Sequence, residues 1–329
     1  MTEEYVVAID VGATNIRTAI IGTKSHRLIN KIKEKTRVSD GVEAITSQIV
    51  NSVRKVLEKS ELSIKKIKGI GVGAPGPLDI IRGGISKAVN IPYEFIPIKE
   101  PLEKEYSLPV VLKNDANASA LGELMFGAGK DMNVKYLVFI TISTGIGAGI
   151  INNGVLVEGV DGNAGEVGCI SVDYKGRLRC GCGRYGHWQA YSSGSSIPNF
   201  VKYLIEEGII KIDKRSLFYK KTNRLLNISA QIVYELANIG DQIAMKIVDE
   251  LSTINAVGIA NVINAYNPEV ITLGGSIILN NIELTINKIV PKIKEYAVNR
   301  IPKIMPTPLG EDVGLYGAAA AIIREVVSN

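Results

Sequence analysis

Apolar and polar positions along this chain switch between two periods. Tyr5 to Ile9 is an apolar, β-rich run. A polar segment from Asp10 to Asn15 separates it from a second apolar run around Arg17 to Ile21, and Gly22 to Ser25 turns the chain toward a third near Leu28 to Glu34. The pattern predicts three strands joined by tight turns. From Gly41 to Leu57 the apolar residues Val42, Ile45, Ile49, Val53 and Leu57 recur at helical spacing. Beyond them the sequence predicts a buried strand from Ile67 to Gly73, a short helix from Pro101 to Tyr106, a strand from Val110 to Lys113 and a helix from Asn117 to Phe126.

The opening pattern then recurs. Tyr136 to Ile142 is an apolar strand, Ser143 to Gly147 a Gly/Thr turn, and Ala148 to Ile151 a second strand. Asn152-Asn153-Gly154 signals a hairpin before Val155 to Glu158. Strand, Gly/Thr turn, strand thus appears twice, which points to duplicated halves facing each other. Helices are expected from Ala230 to Leu236, Asp241 to Leu251, Ser252 to Tyr266, Ile282 to Val290 and Gly314 to Val327, with a strand from Val270 to Leu273. No low-complexity linker interrupts the chain, so a domain boundary would be a compact hinge.

Composition narrows the class. The 329 residues are 46% hydrophobic and 22% charged, which is ordinary globular usage with ample length for a core. The net charge of +5 is spread along the chain, which fits an enzyme handling anionic substrates at least as well as nucleic acid, and no Lys/Arg run exceeds two residues, which excludes a basic DNA-binding tail. The apolar runs are too short to span a bilayer, and the acidic start MTEEYVVAID predicts no signal peptide and a cytoplasmic protein. Three cysteines are too few for a disulfide scaffold.

Candidate chemistry gathers at the turns. A strand ending in Asp10, Gly12 and Thr14 puts a carboxylate beside exposed backbone N–H groups. Such a turn can cradle phosphate oxygens, and the carboxylate can hold Mg²⁺ through water. Thr14 adds a hydroxyl and Arg17 a cation. Thr144, Gly145 and Gly147 form a second nest, and Gly274 with Gly275 a third close-approach site. None of these is a Walker loop or a dinucleotide fingerprint. Asn114-Asp115 lies between a strand and a helix, where a carboxylate could accept a hydroxyl proton during phosphoryl transfer. Taken alone, Asp115 reads more simply as the cap of the next helix. Cys169, Cys180 and Cys182 all lie within 19 residues of His187, and the only other histidine is His26. Four such ligands in one window suit tetrahedral, structural Zn²⁺.

Together these segments resemble the ROK family of sugar kinases, of the actin/Hsp70/hexokinase fold superfamily, along nearly the whole chain. DVGATNIRTAI is similar to the family's first phosphate loop, adding Ala13 and Asn15 to the phosphate contacts. GVGAPGPLD with Gly76, the NIP at Asn90, and KNDANASALGE resemble its sugar segments. STGIGAGIINNGVLVEGVDGNAGEVG resembles the second phosphate loop running into an ExGH signature, and CGCGRYGHWQAYSSG its CxCGxxGCxE segment. The resemblance implies an ATP- and Mg²⁺-dependent kinase acting on the 6-hydroxyl of a hexose (glucose, mannose or a 2-amino or 2-acetamido hexose). Asp115 would be the general base, with Asn90, Asn114, Asp115 and Glu166 on the sugar.

Three positions depart from the family pattern. Cys169 replaces the histidine of ExGH, His187 replaces the last cysteine of the zinc signature, and Gln189 replaces the sugar-binding glutamate. The first two exchange a ligand pair and keep three cysteines and one histidine. The third puts an amide, able to donate as well as accept, near C1/C2 of the sugar, where it could donate to an acetamido carbonyl. The fold implied is α/β, with two ribonuclease-H-like domains of the actin/hexokinase type around a cleft. Residues 1–115 plus 312–329 would form the small domain, with the first phosphate loop and the base. Residues 116–311 would form the large domain, with the second phosphate loop, the zinc knuckle and the adenosine region. The expected partners are a sugar, a nucleotide and further copies of the chain, with no nucleic acid and no membrane. ROK repressors carry a helix-turn-helix module ahead of the first phosphate loop, and Asp10 stands too near the start of this sequence for one. A sugar-binding scaffold without activity is the other alternative, and the phosphate-loop residues argue against it.

Overall fold

The computed structural model describes residues 3–87 and 92–327. Its architecture is mixed α/β. The N-terminal strands are β1 (Tyr5–Val11), β2 (Asn15–Gly22), β3 (Leu28–Lys35) and β4 (Ile67–Ala74). Three short strands follow, β5 (Leu78–Asp79), β6 (Gly84–Ser86) and β7 (Phe95–Pro97), then β8 (Val110–Asn114). The second set comprises β9 (Leu137–Ile142), β10 (Ile146–Asn152), β11 (Val155–Leu156), β12 (Val270–Gly274) and β13 (Lys303–Pro306). One five-stranded sheet has the order β3-β2-β1-β4-β8 and the other β11-β10-β9-β12-β13. In each, an antiparallel meander of three strands opens the sheet and two later strands extend it beyond the first. The repeated strand–turn–strand pattern in the sequence is therefore a repeated topology.

The chain divides into two compact units. One comprises Met1–Phe139, Gly149–Gly165 and Thr307–Asn329, and the other Ile140–Ala148 and Glu166–Pro306. Within the first, helix α1 (Val42–Ser60) buries Ile45, Ile49, Val53 and Val56 among Val7, Ile9, Ile20 and Val72 of the sheet. Helices α2 (Asp115–Phe126) and α4 (Val313–Ile322) pack through small residues. A Cβ on Gly122 would lie 2.7 Å from Gly317 N, and one on Gly317 would lie 2.4 Å from Ala118 O. This close approach sets the position of the N-terminal end of α2.

Two differences from the expected elements have clear causes. Gln242–Tyr266 is a single 25-residue helix, α3 (between α2 and α4 in the chain), where two were expected. The polar pair at the predicted break is satisfied within the helix, with Ser252 Oγ donating to Val248 O and Thr253 Oγ1 to Asp249 O. The helix Ile282–Ile293 runs through Pro291, which sits in the last turn and forgoes only its own backbone bond. Among the described residues no helix is long and apolar enough to cross a membrane.

Candidate active site

In the first unit, β1, β4 and β8 are parallel neighbours, and Asp10 is in register with Gly73 and Ala74 with Asn114. Their carboxyl ends therefore bring Asp10, the Ala74–Gly76 turn and Asn114-Asp115 to one edge of the sheet, where open α/β sheets bind ligands. Gly12 N donates to Asn15 O at 2.9 Å to close the loop, and Thr36 staples it from β3 through Thr36 N to Thr14 O and Thr36 Oγ1 to Gly12 O. Thr14 is exposed, and among the described residues the N–H groups of Ala13 and Thr14 donate to no protein acceptor. The loop is thus built and its donors are open. Arg17 turns elsewhere. It is the cross-strand partner of Asp10, and its Nε donates to Asp10 Oδ2 at 2.8 Å.

Asn114 caps α2, its Oδ1 accepting from Ala116 N at 3.0 Å and Asn117 N at 3.2 Å. The capping role the sequence offered to Asp115 thus belongs to its neighbour. Asp115 is the first residue of the helix, with Oδ1 2.8 Å from Ala116 N. Gly76 lies in the turn after β4 and is joined to Pro77 by a cis peptide bond. Asn90 lies outside the described residues.

In the second unit, the ends of β9 and β12 touch. Gly275 has φ +88°, and a Cβ there would lie 2.4 Å from Ile142 O. Only glycine fits both the backbone angle and the gap. Ser143 Oγ lies 3.2 Å from Ser276 Oγ. Ile142 and Ser143, which lead into Thr144, thus stand beside Gly275 and Ser276. The segment from Ser193 to Ser196 braces the turn, with Gly194 N donating to Ser143 O and Ser195 Oγ to Thr144 O. Sequence reasoning passed over this brace, whose signal is the run SSGSS directly after the knuckle. Glu166 opens the turn to Cys169, and desolvation raises its carboxyl above the ordinary carboxylate range. Gly168 lets that turn lie against the second loop, since a Cβ would meet Ile146 O at 2.2 Å.

Ligand atoms of Cys169, Cys182 and His187 all lie within 4.8 Å of one another. Cys182 Sγ and His187 Nδ1 are 3.3 Å apart, close to the roughly 3.5 Å that neighbouring ligands span around tetrahedral zinc. Cys180 stands outside this three-residue group, with its thiol 3.2 Å from Gln189 Nε2. Burial pushes the Cys169 thiol up to about 12. Burial also acts on Cys182, but the Arg184 N–H and the Cys180 and Cys169 thiols donate to its sulfur, and its net shift is downward. The donor set fits a soft cation, three of the four expected ligands lying together. Gln189 Nε2 donates to both Cys169 and Cys180 sulfurs, at 3.5 and 3.2 Å. Its donor face is therefore engaged by sulfur. Its Oε1 points toward the second loop, 3.6 Å from where a Gly145 Cβ would sit.

Two anchors hold the knuckle. Trp188 is fully buried, donates from Nε1 to Asn255 Oδ1 at 2.8 Å, and lies flat on Gly258 of α3. Asp173 is buried and accepts from Arg177 (Nε, NH2 and the backbone N), from Lys175 N and from the Tyr191 hydroxyl. The Arg177 side chain, then the Tyr191 hydroxyl and the two backbone donors, hold the Asp173 carboxyl far below the usual range. A depressed native pKa contributes stability that is full above the unfolded value near 3.8 and is lost progressively as pH falls below that value and through the native one. Asp173→Asn is therefore expected to lower stability by about 2 kcal/mol, the size of hydrogen bonds to a buried charge less screening at half-exposed Arg177. The Tm difference from wild type should be flat from pH 5 to 8 and shrink in strong acid. A difference that grows on acidification would contradict this account.

A model described as ROK family matches residues 6–325. A glucokinase of Halalkalibacterium halodurans is 35% identical over 320 residues, covering 96% of this chain and 94% of that protein. The ROK family glucokinase of Streptomyces griseus, solved in complex with glucose and AMPPNP, superposes with a TM-score of 0.80 at 28% identity, covering 99% of this chain and 100% of that one. A xylose repressor of Caldicellulosiruptor bescii is 26% identical over 98% of this chain but 79% of its own length.

Proposed function

The chain belongs to the ROK family, and from that premise we propose that it transfers the γ-phosphoryl group of ATP to the 6-hydroxyl of a hexose, glucose or mannose. The observation that carries this reading is the placement of Asp10 and Asp115 at the carboxyl ends of β1 and β8, the parallel strands that flank β4, beside a phosphate loop with open donors. Likeness to glucokinases along almost the full chain supports it. Asp115 accepts the proton of the 6-hydroxyl as its oxygen bonds to the γ-phosphorus. The bond from that phosphorus to the bridging oxygen breaks, and ADP leaves. Asn114, its Oδ1 spent on the helix cap, offers its amide N–H groups to sugar hydroxyls. Thr14 and the Ala13 and Thr14 N–H groups hold phosphate oxygens, with Thr144, Gly145, Gly147, Gly274 and Gly275 serving the nucleotide. Mg²⁺, when bound with the nucleotide, would supply charge neutralisation for the transferring group. Asp10 would hold it through water from Oδ1, to which nothing donates among the described residues. Product analysis by ³¹P and ¹³C NMR tests the regiochemistry. Phosphate on O6 is expected, and phosphate on O1 would overturn the assignment of Asp115.

Glu166 and Gln189 complete the sugar contacts. With its amide N–H groups turned to sulfur, Gln189 offers the acceptor Oε1, as the family glutamate offers a carboxylate oxygen. The tolerance of 2-acetamido sugars expected from a free amide donor loses its basis, and unsubstituted hexoses are favoured. Gln189→Leu should raise the hexose KM about tenfold, near the 1.4 kcal/mol of one buried hydrogen bond, with kcat within a factor of three. An unchanged KM would remove Gln189 from the sugar.

Zn²⁺ held by Cys169, Cys182 and His187, with Cys180 completing the set, would be structural. Elemental analysis is expected to give one zinc per chain. Cys182→Ser should lose it and lower Tm. A native, metal-free wild-type protein at full stability would refute the site.

A further inference from the structure

Arg17 occupies a position where a cation near phosphate would be expected, yet each of its three guanidinium nitrogens donates within the first unit. Its Nε and NH2 both donate to Asp10 Oδ2, and its NH1 donates to the backbone carbonyl of Glu311. Glu311 lies in the short turn that leads into α4, and that turn is tied a second time to the sheet by Lys31, whose Nζ lies 2.8 Å from each oxygen of Asp312. One helical step on, a Cβ on Gly314 would fall 2.9 Å from both Cγ and Oδ2 of Asp10 and 3.1 Å from Oδ1. The Asp10 carboxylate therefore rests directly on the Cα of Gly314, with Arg17 gripping one of its two oxygens. Both side chains are mostly buried, at 14% and 25% exposure.

We propose that Arg17 and Gly314 are positioning residues that act through Asp10, and that Arg17 makes no phosphate contact. Arg17 fixes the rotamer by holding Oδ2, and Gly314 supplies the space that rotamer needs. Oδ1 is left as the single oxygen presented to a hydrated divalent cation. The planar guanidinium suits the task, because it can bind a carboxylate oxygen and a carbonyl at once, as an ammonium cannot in the same geometry. A partner that orients a metal-binding carboxylate is worth about 10- to 100-fold in metal affinity. This inference rests on the kinase reading, and the test separates the two.

The test uses the full chain with ADP and Mn²⁺ as probes. Free Mn²⁺ is read by electron paramagnetic resonance in the presence of saturating ADP, and metal-free ADP binding is read by calorimetry in EDTA. Arg17→Gln and Gly314→Ala are each expected to weaken Mn²⁺ capture by the ADP complex about 10- to 100-fold. Metal-free ADP affinity should stay within about twofold of wild type in both. Gly314→Ala leaves the charge of the site intact, so a matching loss in both variants shows that orientation carries the effect. A tenfold or greater loss of metal-free ADP affinity in Arg17→Gln would put Arg17 on phosphate and overturn the proposal. Unchanged Mn²⁺ capture in either variant would also overturn it. Should wild type bind ADP and Mn²⁺ while the variants match it, only this inference falls. Should wild type bind neither, the kinase reading falls with it.

Discussion

Asp115→Asn is expected to lower kcat by about 10²- to 10⁴-fold, the range for loss of a general base, while hexose binding stays close to wild type. In barrier terms this is about 3–5 kcal/mol. The substitution keeps size and shape at the first residue of α2. It also spares the cap, because Asn114 Oδ1 accepts from both the Ala116 and Asn117 N–H groups, and an asparagine at 115 keeps an Oδ1 for the bond that Asp115 also takes from Ala116 N. Stability should therefore change little, which makes kinetics the readout. Stopped-flow or coupled assays for kcat, with calorimetry for sugar affinity, separate chemistry from binding. A variant with near-normal kcat would remove Asp115 from the proton transfer.

Gly71→Ala is expected to produce the largest loss of stability in the chain. A Cβ at this position of β4 would lie 1.8 Å from Ala318 O and 2.6 Å from Ala318 C. These are backbone atoms of buried helix α4, so no side chain can swing aside. Gly69 meets the same helix at Ile322, with a contact of 2.8 Å, and Gly73 faces Gly314 O at 4.0 Å. Every second residue of the strand is thus a glycine on the face that α4 covers. Overpacking of a core usually costs about 1–3 kcal/mol, and a clash with backbone on both sides should exceed about 4 kcal/mol. The corresponding drop in Tm is roughly 8–16 °C by scanning calorimetry. A Tm within about 2 °C of wild type would mean that the strand and helix are not in this contact. Because α4 also carries Gly314 and packs on α2, the same displacement would move the surroundings of Asp10 and Asp115.

How far the sequence could be read depended on the length over which a signal repeats. The strands of the two strand–turn–strand openings are six to eight residues long, mostly unbroken apolar runs, and stand out. The strands β5, β6 and β7 are two or three residues long, too short for alternation to register. β13 contains a proline and pairs as the last strand of its sheet, where ladder demands are weakest. α3 is continuous across the expected boundary between Leu251 and Ser252, where the hydroxyls of Ser252 and Thr253 bond back into the helix rather than break it.

Within the candidate site, residue types and spacing identify the loops and the cysteine cluster. They do not reveal which partner a side chain takes. The Asp10–Arg17 pairing follows from hairpin register, visible only once the turn length is known. The cap passes from Asp115 to Asn114 through one backbone torsion, and both residues are good cap formers. Gln189 turns its amide to two sulfurs because the knuckle folds back on itself, bringing residues twenty positions apart into contact. Nothing but an i, i+4 spacing marks the Asp173–Arg177 pair in the sequence, and its burial against Tyr191 depends on the packing of the whole knuckle.

The most direct test of the central claim is ADP production by the purified chain with ATP, Mg²⁺ and a panel of glucose, mannose, N-acetylglucosamine, N-acetylmannosamine and xylose. The account predicts hexose-dependent ADP formation, fastest with glucose or mannose, and lost in Asp115→Asn. Sugar binding without ADP formation on any member of the panel would contradict it.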